Sequence, residues 1–151
     1  MKRTSLRSKD VGLLLKDYVV LLDKKDLVEL VEDNEYKIIF INKQPSFYYY
    51  QEKLLPTLKY LQTNSILKKI TIDMGAIKFI INGADLMRPG IVELDESICE
   101  QDIVVLVDQI NKKPLAVGIS LFSSEQIKTM AKGKIVKNIH YVGDELWKFT
   151  L

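Results

Sequence analysis

Apolar positions early in the chain recur at helical spacing. Val11, Leu14, Leu15, Tyr18 and Leu22 form one stripe behind Ser8, whose hydroxyl is a suitable N-cap. A helix is therefore expected from residue 8 and is the preferred reading, with a strand as the alternative for the β-rich end of that run, residues 18–22. Residues 27–32 and 36–41 then read as strands, with the turn formers Asp33 and Asn34 between them. Residues 42–46 make a second turn around Pro45, and Phe47, Tyr48, Tyr49 and Tyr50 make a third strand, giving a three-stranded meander. Pro56 suits the first turn of a helix reaching about Asn64, with Leu54, Leu58 and Leu61 on its buried side. Polar residues at 63–65 interrupt the pattern, and a domain boundary is placed there.

Beyond it the periods shorten. Strands are expected over 66–72, 91–94, 103–107, 115–120, 134–140 and 146–149. A helix capped by Asp73 carries Ile77, Ile80 and Ile81 on one face and is stopped by Asn82-Gly83. Arg88-Pro89-Gly90 closes the following loop, because proline cannot continue a helix. Ser123 and Gln126 stand at capping-box spacing for a further helix, which is expected to end at Gly133. Many short strands with turns between them fit a small β-barrel. The fold class is α+β, with a small N-terminal unit (an antiparallel meander plus helices) at 1–65 and a barrel at 66–151. A unit of 65 residues is marginal alone, so part of its apolar face is expected to be covered by the second.

Composition narrows the chemistry. Of 151 residues, 47% are apolar, which supports a core, and no run approaches the roughly 20 residues that span a bilayer. No signal-peptide pattern follows the basic start, so the expected address is cytoplasmic and no membrane partner is expected. Net charge is +2, but residues 1–65 hold 11 basic and 9 acidic side chains and residues 66–151 hold 11 of each. Phosphate affinity in the second half must therefore come from local clustering. One cysteine, Cys99, and one histidine, His140, leave no zinc set and no disulfide. No phosphate-cradling glycine motif is present, and the pairs Asp95-Glu96 and Asp144-Glu145 read as solvated turns. No cofactor is expected and no enzymatic reading finds support.

The run Asp73-Met-Gly-Ala-Ile-Lys-Phe79, the blocks at 101–105, 114–118 and 132–136, and His140-Tyr-Val-Gly-Asp-Glu-Leu-Trp147 occur in the order seen in PUA domains. These are RNA-binding modules named after pseudouridine synthases and archaeosine transglycosylases. The resemblance covers about residues 66–151 and implies a mixed pseudobarrel. The narrower wording resembles the malignant-T-cell-amplified-sequence family, whose eukaryotic members act in translation re-initiation and ribosome recycling and whose archaeal members are short two-domain chains. Residues 1–65 would then be the domain preceding the PUA domain.

The resemblance implies a non-enzymatic protein of the translation machinery. Its PUA domain would bind structured RNA, tRNA or rRNA and plausibly the tRNA acceptor end. Its N-terminal domain would dock an initiation-factor-like partner protein or the small ribosomal subunit. The competing expectation is an accessory module that supplies RNA in trans to a modifying enzyme of pseudouridine or archaeosine type. Candidate RNA contacts are Lys78, Asn82, Gly83, Ala84, Asp85, Arg88 and Gly90 on the helix and its loop. Lys128, Lys132 and Lys134, with Lys137, form a run without an acid, and Tyr141 and Gly143 follow near the C-terminus. Plainer readings stand beside these: a helix stop at Asn82-Gly83, an ordinary surface charge at Arg88, a solvated lysine-rich helix end, and a core Trp147.

Overall fold

The computed structural model describes residues 1–151. The chain divides into two units, Met1–Ile66 together with Phe149–Leu151, and Leu67–Lys148. In the first, strands β1 (Lys2–Leu6), β2 (Val28–Asp33), β3 (Tyr36–Ile41), β4 (Gln44–Tyr50) and β5 (Lys53–Pro56) pair in sequence order, each antiparallel to the next. Helix α1 (Ser8–Leu14) and the single turn α2 (Leu58–Leu61) complete it. Val11, Leu15, Val28, Ile39, Phe47 and Leu54 form the core. The Tyr60 and Tyr18 rings lie 4.8 and 5.7 Å from that of Phe47.

The meander thus has five strands, not three. β1 is an edge strand whose residues are mostly exposed, so no apolar alternation announces it. α1 stops at Leu14; its N-cap is Arg7, without a side-chain cap, and the Ser8 hydroxyl donates instead to the Asp23 carbonyl at 3.2 Å. Pro56 ends β5 and does not begin a helix. Thr57 caps α2, its hydroxyl accepting from the Tyr60 N–H. The last three residues, expected in the second unit, pack with the first: the Phe149 ring meets Tyr36 at 6.3 Å and Phe40 at 6.1 Å.

The second unit curls a six-stranded mixed sheet in the order β7-β11-β10-β9-β6-β8. Its strands are β6 (Lys68–Ile72), β7 (Leu86–Met87), β8 (Ile91–Leu94), β9 (Ile103–Asp108), β10 (Pro114–Ser120) and β11 (Lys134–Tyr141). β6 and β9 run parallel, every other pair antiparallel. Helices α3 (Ile77–Ile80), α4 (Ser124–Thr129) and α5 (Glu145–Lys148) join them. Ile70, Ile72, Ile80, Leu86, Leu106, Ile127 and Ile135 are fully or almost fully buried in its core.

α4 has the expected capping box between Ser123 and Gln126 but ends at Thr129, four residues short of Gly133. The final strand is in fact the helical turn α5, and Trp147 on it is half-buried, not core. Asp144 sets that turn: its carboxylate accepts from the Trp147 N–H at 2.8 Å and the Tyr141 N–H at 3.0 Å. The β9–β10 turn is built similarly on Asp108, which accepts from the backbone of Ile110, Asn111 and Lys113.

Candidate nucleic-acid interface

The stretch from Asp73 to Gly90 folds around its two ends. The Asp73 carboxylate accepts from the Ala76 N–H at 2.9 Å, starting a tight turn that leads into α3. The Asp73 N–H donates to the Gly90 carbonyl at 3.0 Å, so the loop returns to where it began. Gly83 adopts φ +92° and ends α3. Its N–H donates to the Ile80 carbonyl and that of Ala84 to Phe79, the paired bonds of a Schellman stop. Asn82 adds a bond from its amide to the Lys78 carbonyl at 2.6 Å.

The bend is fastened to β11 from the other side. The Asn138 side-chain amide donates to the carbonyls of Ile80 and Ala84, each at 3.0 Å, and its N–H donates to Asp85 at 2.8 Å. Burial pushes the Asp85 carboxyl upward, but the Asn138 N–H and the Lys134 ammonium at 3.0 Å outweigh it and hold it below the ordinary range. Asp85 is therefore an anion that fixes the loop.

Between this bend and the returning loop lies a cleft of about 600 Å³. Gly75, Ala76, Phe79, Ala84, Met87, Pro89 and Gly90 line it, with Asp85 and Lys134 among them. The surface is mostly apolar, yet Phe79 is 57% exposed and Met87 49%, so neither belongs to the core. Gly90 keeps its floor close: a Cβ there would meet Leu86 and Ala76 at 3.2 and 3.3 Å.

Of the residues expected to contact RNA, Ala84, Asp85, Gly90 and Lys134 line this cleft. Lys78 stands beside it, its ammonium 5.1 Å from the Phe79 ring centroid. Arg88 sits between two lining residues, half-buried; its Nε donates to the Ile127 carbonyl at 2.9 Å and its N–H to Gly133 at 2.8 Å. It thus caps the end of α4 and forms no ion pair. Gly83 is covered by Tyr141, whose ring a Cβ would meet at 3.1 Å, so these two pack on each other. Lys128 pairs with Glu96 and does not line the cleft. Lys132 and Lys137 are exposed and form no ion pair, and Gly143 lies in an exposed turn at φ +94°.

Phe79 and Met87 were absent from the expectation. Phe79 falls off the Ile77, Ile80, Ile81 stripe, and an aromatic on the polar side of a helix was the signal available. No group of three or more His, Cys, Asp or Glu side chains is placed to hold a metal. No helix is long and apolar enough to cross a membrane.

The PUA domain family matches residues 68–142, and the Domain of unknown function (DUF1947) matches residues 7–64. An uncharacterized protein of Methanocaldococcus jannaschii is 43% identical, over 98% of this chain and 96% of its own length. Translation machinery-associated protein 20 of Eremothecium gossypii is 35% identical over 87% of this chain and 77% of its own. Malignant T-cell-amplified sequence 1 of Rattus norvegicus is 33% identical over 84% and 73%. The chain belongs to the malignant T-cell-amplified sequence and translation machinery-associated protein 20 family. The resemblance carried by its motifs is thereby confirmed, and with it the α+β, half-barrel fold. Among solved structures, a hypothetical protein of Pyrococcus horikoshii aligns with this family member at TM-score 0.86 and 34% identity, over 99% of this chain and 100% of that one. A chain from an H/ACA ribonucleoprotein bound to a substrate RNA aligns at TM-score 0.51 and 25% identity, over 64% of this chain and 29% of that one.

Proposed function

We propose that this protein is a non-catalytic RNA-binding component of the translation machinery. Residues 66–151 take structured RNA, the acceptor end of tRNA being the preferred candidate, and residues 1–65 dock a partner protein or the small ribosomal subunit. The observation that carries the reading is the cleft beside the Gly83 bend, where exposed Phe79 and Met87 offer stacking surface. Lys78, Lys132 and Lys137, none in an ion pair, and Arg88 with its outer nitrogens uncommitted supply cations for phosphates. Relatives named for the translation machinery support the setting. The H/ACA likeness favours the second reading, RNA supply in trans to a modifying enzyme, and copurification with ribosomes or with such an enzyme separates the two.

The test is a tRNA titration at several salt concentrations. Affinity falls steeply with salt, and the triple variant Lys78→Gln, Lys132→Gln, Lys137→Gln flattens the log–log slope by about 2, at roughly 0.7–0.9 for each phosphate no longer neutralised. Phe79→Ala weakens binding by about 1–3 kcal/mol without changing the slope. An unaltered slope in the triple variant removes the assigned surface.

A further inference from the structure

The bend that ends α3 holds a reactive pair of neighbours. Of the six asparagines in the chain, at 34, 42, 64, 82, 111 and 138, Asn82 alone precedes glycine. An asparagine side-chain carbonyl can be reached by the backbone nitrogen of the next residue, and a glycine there, having no Cβ, leaves that approach least obstructed. Asn82 is exposed, so water reaches the same place. It follows a helix of only four residues, which holds by its tertiary contacts and not by itself. In the folded chain both reacting groups are engaged. The Asn82 amide donates to the Lys78 carbonyl at 2.6 Å, and the Gly83 N–H donates to the Ile80 carbonyl at 3.0 Å. The turn is held from outside by the Asn138 amide, on the carbonyls of Ile80 and Ala84, and by the Tyr141 ring over Gly83. Local opening of that turn frees both groups together.

We propose that Asn82 is a site of spontaneous deamidation, gated by opening of the α3 stop, and that the reaction weakens RNA binding at this bend. In the open turn the Gly83 nitrogen gives its proton to a solvent base and attacks the Asn82 side-chain carbonyl carbon. The new C–N bond closes a succinimide ring, and the side-chain nitrogen takes up a proton and leaves as ammonia. Water then adds to one or the other ring carbonyl and opens it to aspartate or isoaspartate, with no oxidant or reductant involved. The product cannot restore the turn. A carboxylate has no hydrogen to donate to the Lys78 carbonyl, so two acceptors face each other where a bond stood. Its negative charge stands one helical turn from Lys78, a cation assigned to phosphate, and repels the RNA backbone. Isoaspartate also lengthens the main chain by a methylene beside Gly83, which is packed against Tyr141. The effect on binding rests on the RNA reading of this cleft, whereas the reaction itself does not.

The experiment ages the intact protein in warm, mildly alkaline buffer and follows every asparagine by peptide mass spectrometry. Asn82 converts first of the six, at a rate at least about tenfold below that of the same chain in denaturant. The ratio of the two rates matches the opening constant read from hydrogen exchange at Gly83, a comparison that needs no variant. Asn138→Ala removes the bonds to Ile80 and Ala84 and raises the native rate at least about fivefold, leaving the rate in denaturant unchanged. Another asparagine converting first, or equal rates in native buffer and denaturant, overturns the proposal. For binding, aged protein and fresh Asn82→Asp take tRNA at least about threefold more weakly than fresh unaltered protein. Asn82→Gln, whose longer side chain closes the ring far more slowly, keeps its own fresh affinity on ageing. Conversion of Asn82 without loss of tRNA affinity overturns the effect on binding. Fresh protein that takes no tRNA sinks the RNA reading and that effect with it, while the masses alone uphold or overturn the modification site.

Discussion

Three hairpin turns in the first unit are made without glycine, whereas six of the chain's seven glycines lie in the second. In the first, Asn34, Asn42, Lys43, Gln51 and Glu52 take left-handed backbone at φ between 47° and 69°. Such conformations cost ordinary residues roughly 1 kcal/mol each. The remaining glycine, Gly12, has nothing within 4 Å of where a Cβ would stand. In the second unit, where Gln101 and Lys112 are left-handed too, three of the glycines sit where backbone meets side chain or backbone: Gly83 beneath Tyr141, Gly90 against Leu86, Gly118 against β11. A meander of consecutive strands needs only that the chain reverse, and sheet pairing can carry the strain. A curled sheet with a parallel pair needs close approach, which only a missing side chain allows.

The contrast is broken most severely at Gly118, where β10 is bulged against β11. A Cβ there would collide with the Lys137 carbonyl and with Val136. Gly118→Ala is expected to cost about 3 kcal/mol or more, seen as a collapse of the denaturant midpoint of the second unit. Next comes Asp108→Ala, which strips three backbone N–H groups of their acceptor. It should cost about 2 kcal/mol and loosen the β9–β10 turn in hydrogen exchange.

The units should also part company with pH. In the second, backbone N–H groups led by Asn111 hold Asp108 low. At Asp144 burial pushes upward, but the His140 hydrogen bond and its neighbours prevail and the net shift is downward. Carboxyls depressed by folding stabilise above their unfolded pKa near 4 and lose that contribution as pH falls through their folded values. In the first unit, burial, followed by the charge of Asp17, raises Tyr18 to about 12. Its stabilisation is complete below the unfolded value near 10 and is lost as pH rises toward 12. Circular dichroism melts should show the second unit failing first in acid and the first unit failing first in alkali. Tyr18→Phe should reduce the alkaline loss between pH 10 and 12, with Tyr60, also raised by burial, carrying what is left, and a loss unchanged in that variant would refute the assignment. The smallest effect is a gain: Glu52→Gly relieves left-handed strain at φ 67° and should stabilise by roughly 0.5 kcal/mol in a thermal melt.

Local signals were legible in the sequence. Asp73 and Ser123 cap the turns they were expected to cap, because a short oxygen-bearing side chain before an apolar stripe has one good use. Two hairpins of the first unit, at Asp33-Asn34 and around Pro45, were read from their polar turn residues, whereas the third, at Gln51-Glu52, was missed because Leu54 and Pro56 were taken into a helix. Long-range facts were not. Asn138 binds the α3 bend from 53 residues away from Asp85, and nothing in either neighbourhood announces it. Arg88 was read as an RNA contact, with an ordinary surface charge as the plainer alternative, and neither reading included the bond from its Nε to a carbonyl on α4 that only tertiary structure brings near. β1 escaped notice because an exposed edge strand needs no apolar face. α5 was mistaken because Trp147 and Phe149 favour strands locally, while Asp144 forces the turn.

Phe149 carries a consequence for synthesis. Its ring rests on Tyr36 and Phe40, residues made more than a hundred positions earlier. On the ribosome, Tyr36 and Phe40 of the amino-terminal sheet must wait for residue 149 to emerge before their contacts with its ring close. A bulky fusion placed directly after Leu151 would burden that early-made sheet, not the curled one translated just before it.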